Sequence, residues 1–147
     1  MTAQLETMIA EYVALATELK RKVPALGAIL GNNSDVTHPG HMAFYEAVSA
    51  WVADFAATSP DRESLGRALE LLLLAAKEQE RTAACWYLIA IQAHAKPLLP
   101  LLEAQDRQDL LRRYEAAYPA GKRLPVQQEI HQLLGGQRRR FPFWKSH

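Results

Sequence analysis

Cysteine is almost absent from this 147-residue chain, which holds Cys85 alone. One thiol excludes a disulfide within the chain, and with it the cross-linked framework of small secreted domains. Cys85 lies in the apolar run 83–91 and reads as a small buried hydrophobe. That run of nine residues is also the longest apolar stretch, far short of the roughly 18 to 20 residues that cross a bilayer. Integral membrane association is therefore not expected. Within residues 1–23 the acids Glu6, Glu11 and Glu18 precede most of the positive charge at Lys20, Arg21 and Lys22. A signal peptide has the reverse order, so a cytoplasmic location is expected.

Strand signatures are missing too. No short alternating run rich in Val, Ile and Thr is bounded by turn residues, and the fold class expected is all-α. Catalytic signatures are equally scarce. There is no Gly-rich phosphate loop, no His-Glu-x-x-His pair and no Gly-x-Ser-x-Gly elbow. No cofactor is implied, and the sequence assigns no reaction.

What the chain does have is eight prolines, most of them at the edges of apolar-periodic segments. Proline suits a first helical turn, where its missing N–H costs nothing. Pro39, Pro60 and Pro125 accordingly open segments, while Pro24 and Pro119 follow segments that have ended. The first helix is expected from about Ala3 to Val23, with Leu5, Met8, Ile9, Tyr12, Ala16, Leu19 and Val23 on one stripe. A short helical piece over 24–30 and a turn-rich loop over 31–35 follow. A second helix runs from Pro39 to about Ala57, capped by Thr37 or His38, with His41, Phe44, Tyr45, Val48, Trp51, Val52 and Phe55 inward. Ser59, Pro60 and Asp61 cap a third, carrying Leu65, Leu69, Leu72, Leu73 and Ala76.

Thr82 caps a fourth helix from about Ala83 to His94, apolar on nearly every side and so expected in the middle of the bundle. Pro97 and Pro100 fit a connecting turn. Asp106 caps a helix to Tyr118, and a last one from Pro125 to Leu134 buries Val126, Ile130, Leu133 and Leu134 before Gly135 and Gly136 stop it. The expected architecture is one helical domain over 1–136, an irregular bundle of about six helices, followed by a basic aromatic tail over 137–147. The alternative is a short solenoid-like stack of helix pairs, because the starts near Pro39, Thr82 and Pro125 recur at a common spacing.

Charge is unevenly spread. Residues 1–105 hold 8 Lys+Arg against 12 Asp+Glu, and residues 106–147 hold 9 against 4. Such a split points to an anionic partner or to docking of the basic end on the acidic body.

Three groups of residues are candidates for function. His38 and His41, three apart at a helix start, have the chemistry of a metal-ligand pair, although Asp35, Glu46, His94 and His131 complete it at no recognised spacing. The same residues read structurally as a cap and a hydrogen-bonded core-edge histidine. His41, Tyr45, Trp86, Gln92 and His94 would line a polar ligand pocket if their helices face each other, which admits an enzymatic role. In the tail, Arg138, Arg139, Arg140, Phe141, Phe143 and Trp144 combine cations with aromatics and no acid, a composition that suits protein contact or nucleic-acid stacking. It also suits docking into a groove of the body. A DNA-reading helix-turn-helix over 106–134 is disfavoured, since 119–124 is too long a turn and the second helix bears no Arg or Lys. The expected function is a small interaction module, acting through protein contacts or self-association.

Overall fold

In the computed structural model, residues 1–22, 38–78 and 86–136 are described, and expectations for 23–35, Thr82, Cys85 and the tail lie outside them. Among the described residues the chain is all-α. Six α-helices follow in order: α1 (Thr2–Lys22), α2 (Pro39–Ala57), α3 (Arg62–Glu78), α4 (Trp86–Ala90), α5 (Ala104–Ala117) and α6 (Pro125–Leu133). A 3₁₀ segment, Ile91–Leu101, continues α4 directly. None of these helices is long and apolar enough to cross a membrane.

Side chains close three of the helix starts, whereas α5 begins at Ala104 after Glu103 with no side-chain cap, so that Asp106, the expected cap, lies in its first turn. His38 precedes α2 in extended conformation, its Nδ1 accepts the Gly40 N–H at 3.0 Å, and Pro39 takes the first helical position. Gly40 lets α1 approach closely, because a Cβ there would meet the tip of the Leu15 side chain and push it aside. Asp61 Oδ1 accepts the Ser64 N–H at 2.8 Å at the start of α3. Leu124 N–H donates to Gln127 Oε1 at 3.0 Å, closing the first turn of α6.

The helix stripes pack as their 3.6 period requires. Leu5, Ile9, Tyr12, Ala16 and Leu19 of α1 are buried, as are His41, Phe44, Val48, Trp51, Val52 and Phe55 of α2. In α3, Leu65, Ala68, Leu69, Leu72, Leu73, Leu74 and Ala75 are buried, a face wide enough to meet α1, the 3₁₀ segment and α5.

The middle of the molecule is Trp86–Leu101, which packs on α2, α3 and α6. A solenoid repeat touches only its neighbours in the stack, and this arrangement is a bundle around one central rod. Two expectations fail here. The segment does not stop at His94, and Pro97 and Pro100 lie within the 3₁₀ segment instead of in a turn. Each proline removes one donor from the ladder, yet its fixed φ near −65° is close to that of a 3₁₀ helix. With three residues per turn, side chains three apart eclipse. Gln92, Ala95 and Leu98 therefore form one row, each wholly buried, while Pro97 and Pro100 share an exposed row.

The last helix is also rotated from its expected phase. Leu133 is 48% exposed and Val126 half-buried, whereas Gln127, Ile130, His131 and Leu134 point inward. The two polar residues are acceptable inside because both are bonded. Gln127 closes the helix start, and His131 Nε2 hydrogen-bonds Glu115 Oε2 at 2.7 Å.

Candidate functional site: an aromatic cleft between α2, α4 and α6

α4 was expected to be enclosed on all sides, and it is not. Leu88 faces the core, but Trp86 is 56% exposed. Trp86, Ala90 and Ala93 recur at i, i+4 and i+7 and form one side of a helical surface that no described element covers completely. Opposite them, Met42, 47% exposed, and Tyr45 stand on one face of α2. Pro125 and Val126, at the start of α6, supply a third wall. Together with Tyr87 these side chains line a cleft of about 480 Å³, and among the described residues none that lines it is charged.

Behind the cleft runs a ladder of rings. The His94 ring lies 4.3 Å from that of Tyr45, and Tyr45 meets Tyr87 edge-on at 6.2 Å. Tyr87 stacks on His41 at 5.1 Å, and Tyr12 OH is hydrogen-bonded to His41 Nδ1 at 2.7 Å. Tyr12 in turn stacks on Phe44 at 4.0 Å, so the cleft floor is continuous with the contact between α1 and α2.

The expected pocket residues are thus only partly united. Tyr45 and Trp86 line the cleft, His94 touches Tyr45, and His41 lies behind Tyr87. Gln92 points the other way. Fully buried, its Oε1 accepts from Tyr114 OH at 2.6 Å and its Nε2 donates to Tyr118 OH at 3.3 Å. Tyr118 OH donates onward to Leu73 O at 2.8 Å, tying the rod to α3 and α5. Burial raises the Tyr114 phenol far above its ordinary range, so it remains a neutral donor. Residues absent from the expected pocket are Met42, Tyr87, Ala90, Ala93, Pro125 and Val126. The available signal was the second apolar face of α4, which exceeds what one core contact can cover.

His38 and His41 have ring centroids 6.4 Å apart, and both Nδ1 atoms are engaged, with Gly40 and Tyr12 respectively. Among the described residues no three His, Cys, Asp or Glu side chains are grouped to hold a metal ion. The tail residues Arg138, Arg139, Arg140, Phe141, Phe143 and Trp144 lie outside the described residues.

A second cleft, about 820 Å³ between α3 and α5, is lined by charges that pair with one another. Arg62 Nε donates to Asp106 at 2.7 Å, Arg113 to Glu70 at 2.9 Å, and Arg67 pairs with both Glu6 and Glu70. Arg113, with Arg67, holds the Glu70 carboxyl below its ordinary range, and Arg62 does the same to Asp106. These arginines are committed to carboxylates in the fold.

His94 adds a pH dependence. Its Nε2 is buried without a hydrogen-bond partner among the described residues. Burial pushes its pKa below the ordinary value, opposed more weakly by the Tyr45 backbone. The unfolded chain then binds the proton first, so stability falls as pH drops below about 6.5. Glu70 and Asp106, whose folded pKa values are depressed, lose their contribution only at lower pH, near and below the ordinary carboxylate range. His94→Gln is expected to flatten the decline in urea midpoint between about pH 7 and pH 5.5. An unaltered slope would remove His94 as its source.

Compared with protein-family models, with curated proteins and with solved structures, the chain matches none.

Proposed function

We propose that the protein is a helical interaction module that receives an apolar segment of a partner chain in the cleft between α2, α4 and α6. The observation that carries this reading is the exposed pair Trp86 and Met42 flanking an uncharged, aromatic-lined cleft. Isolated exposed apolar residues are ordinary, but a contiguous concave patch with large aromatics at its edge is the usual form of an interface centre. The volume suits two or three large side chains better than an extended polar ligand.

The reading is tested by placing a photo-crosslinking benzophenone amino acid at position 42 in cells, with position 116 on α5 as the exposed control. Crosslinks to a defined apolar peptide of another protein are expected at 42 and not at 116. Trp86→Lys should weaken that capture about 30-fold, as for loss of a hot spot worth roughly 2 kcal/mol. Equal capture at both positions, or indifference to Trp86→Lys, would remove the cleft from the account.

A further inference from the structure

The end of α6 bears on what occupies this cleft when no partner is bound. Gly136 N–H donates to His131 O at 2.8 Å and Gly135 N–H to Gln132 O at 3.0 Å, with Gly135 at φ 101°. This is a Schellman ending, in which a left-handed residue takes the chain off the helix axis. Gly136 is held against the His131 ring so closely that a Cβ would overlap it, and the ring is fixed by Glu115. Gly136 is therefore a fixed point at one end of α6, whose opposite end supplies Pro125 and Val126 to the cleft.

We infer that the cleft is filled in the free protein by the chain's own segment 137–147, folded back along α6 so that Phe141, Phe143 and Trp144 enter between α2 and α4. This rests on the cleft being the partner site. Length permits it. From Leu133 back to Pro125, α6 measures about 12 Å at 1.5 Å per residue, while the five residues 137–141 span up to roughly 17 Å when extended. Chemistry also fits. Pro142 favours an extended Phe141, and in an extended chain Phe141 and Phe143 project to the same side.

Charge agrees as well. The segment carries Arg138, Arg139, Arg140 and Lys145 and no acid. Exposed Glu46 is one turn beyond Met42 at the cleft edge, while Glu129, also along the path, is already paired with Lys96 at 2.6 Å. The segment is thus an internal competitor: a partner gains the cleft only by displacing it.

The test uses the purified full-length protein, dilute, with the benzophenone amino acid at position 42. Illumination followed by trypsin is expected to attach the peptide 141–145 to α2 within a monomeric chain. Attachment only in crosslinked dimers would mean that the segment of a second copy fills the cleft, and absence of that peptide would place the segment elsewhere. Either result overturns the inference. A second measurement uses Phe141→Ser/Phe143→Ser/Trp144→Ser in the full chain, read by cellular crosslinking at 42. If the segment covers the cleft nine-tenths of the time, partner capture should rise about tenfold, and unchanged or reduced capture counts against competition. Partner crosslinks in cells without the intramolecular product leave the interaction module standing and remove the internal occupant. The intramolecular product without any partner does the reverse.

Discussion

Trp51→Ala is expected to destabilise the protein by about 4 kcal/mol, within the range for truncating a buried tryptophan. Trp51 is 4% exposed, stacks on Phe55 at 4.7 Å, and its Nε1 donates to Met1 O at 3.1 Å. It therefore fastens the first turn of α1 as well as filling the space beneath it. Since a domain of this size has only about 5–15 kcal/mol in total, the loss is a large fraction, and the melting temperature should fall by roughly 10 °C. Trp51→Phe separates the two roles. It keeps most of the ring volume and removes the N–H, so about 1 kcal/mol should be lost, with faster amide exchange concentrated at residues 4–9. If both variants cost the same, packing of the indole is not what holds α1.

Gln92→Ala should cost about 3 kcal/mol, because it opens a cavity in the buried row of the 3₁₀ segment and strands the Tyr114 hydroxyl. The cause can be isolated. Gln92→Met fills most of the space but leaves that hydroxyl unpaired, at about 1–2 kcal/mol. Tyr114→Phe alone strands the Gln92 Oε1 at a similar cost. Gln92→Met with Tyr114→Phe removes both partners and should recover much of the stability, while Tyr118 keeps its bond to Leu73. Urea denaturation of the four proteins supplies the cycle. Strict additivity would mean that the hydrogen bond is not the link between the rod and α5.

Much of this fold is legible in the sequence where the 3.6 period is uninterrupted. Most of the stripes of α1 and α2 can be read from that period, with Met8 and Tyr45 only half-buried, as can the capping role of His38 and the stop at Gly135. The sequence misleads where a different rule applies. Pro97 and Pro100 read as turn residues because proline opposes an α-helix, and nothing local announces that the ladder has changed to the 3₁₀ pattern that accepts them. The phase of α6 is missed because Gln127 and His131 look like surface residues until Leu124 and Glu115 are known to satisfy them. Trp86 is misjudged for the converse reason. An apolar helix without a polar face reads as needing burial all round, whereas one face of α4 remains open.

The site was legible only in fragments. Tyr45, Trp86 and His94 come together on the expectation that their two helices face each other, but Gln92 belongs to the opposite side of the rod. Two residues after Ala90 cannot be assigned to a face until the turn size is known: 3.6 residues per turn and 3.0 per turn send Gln92 and Ala93 in different directions. Pro125 and Val126 enter through long-range packing, which no spacing rule within α4 predicts.

The 3₁₀ rod has a mechanical consequence for the cleft. Ala93 is in the cleft wall and its neighbour Gln92 is in the wholly buried row, so the wall and the most tightly held part of the interior belong to one rigid piece. The wall cannot swing outward to admit a larger guest without turning Gln92, Ala95 and Leu98 out of their places. Adjustment is left to Met42 and Trp86, the side chains at the rim. If the cleft is the partner site proposed above, it would act as a preformed mould, and little binding energy would be spent on ordering it.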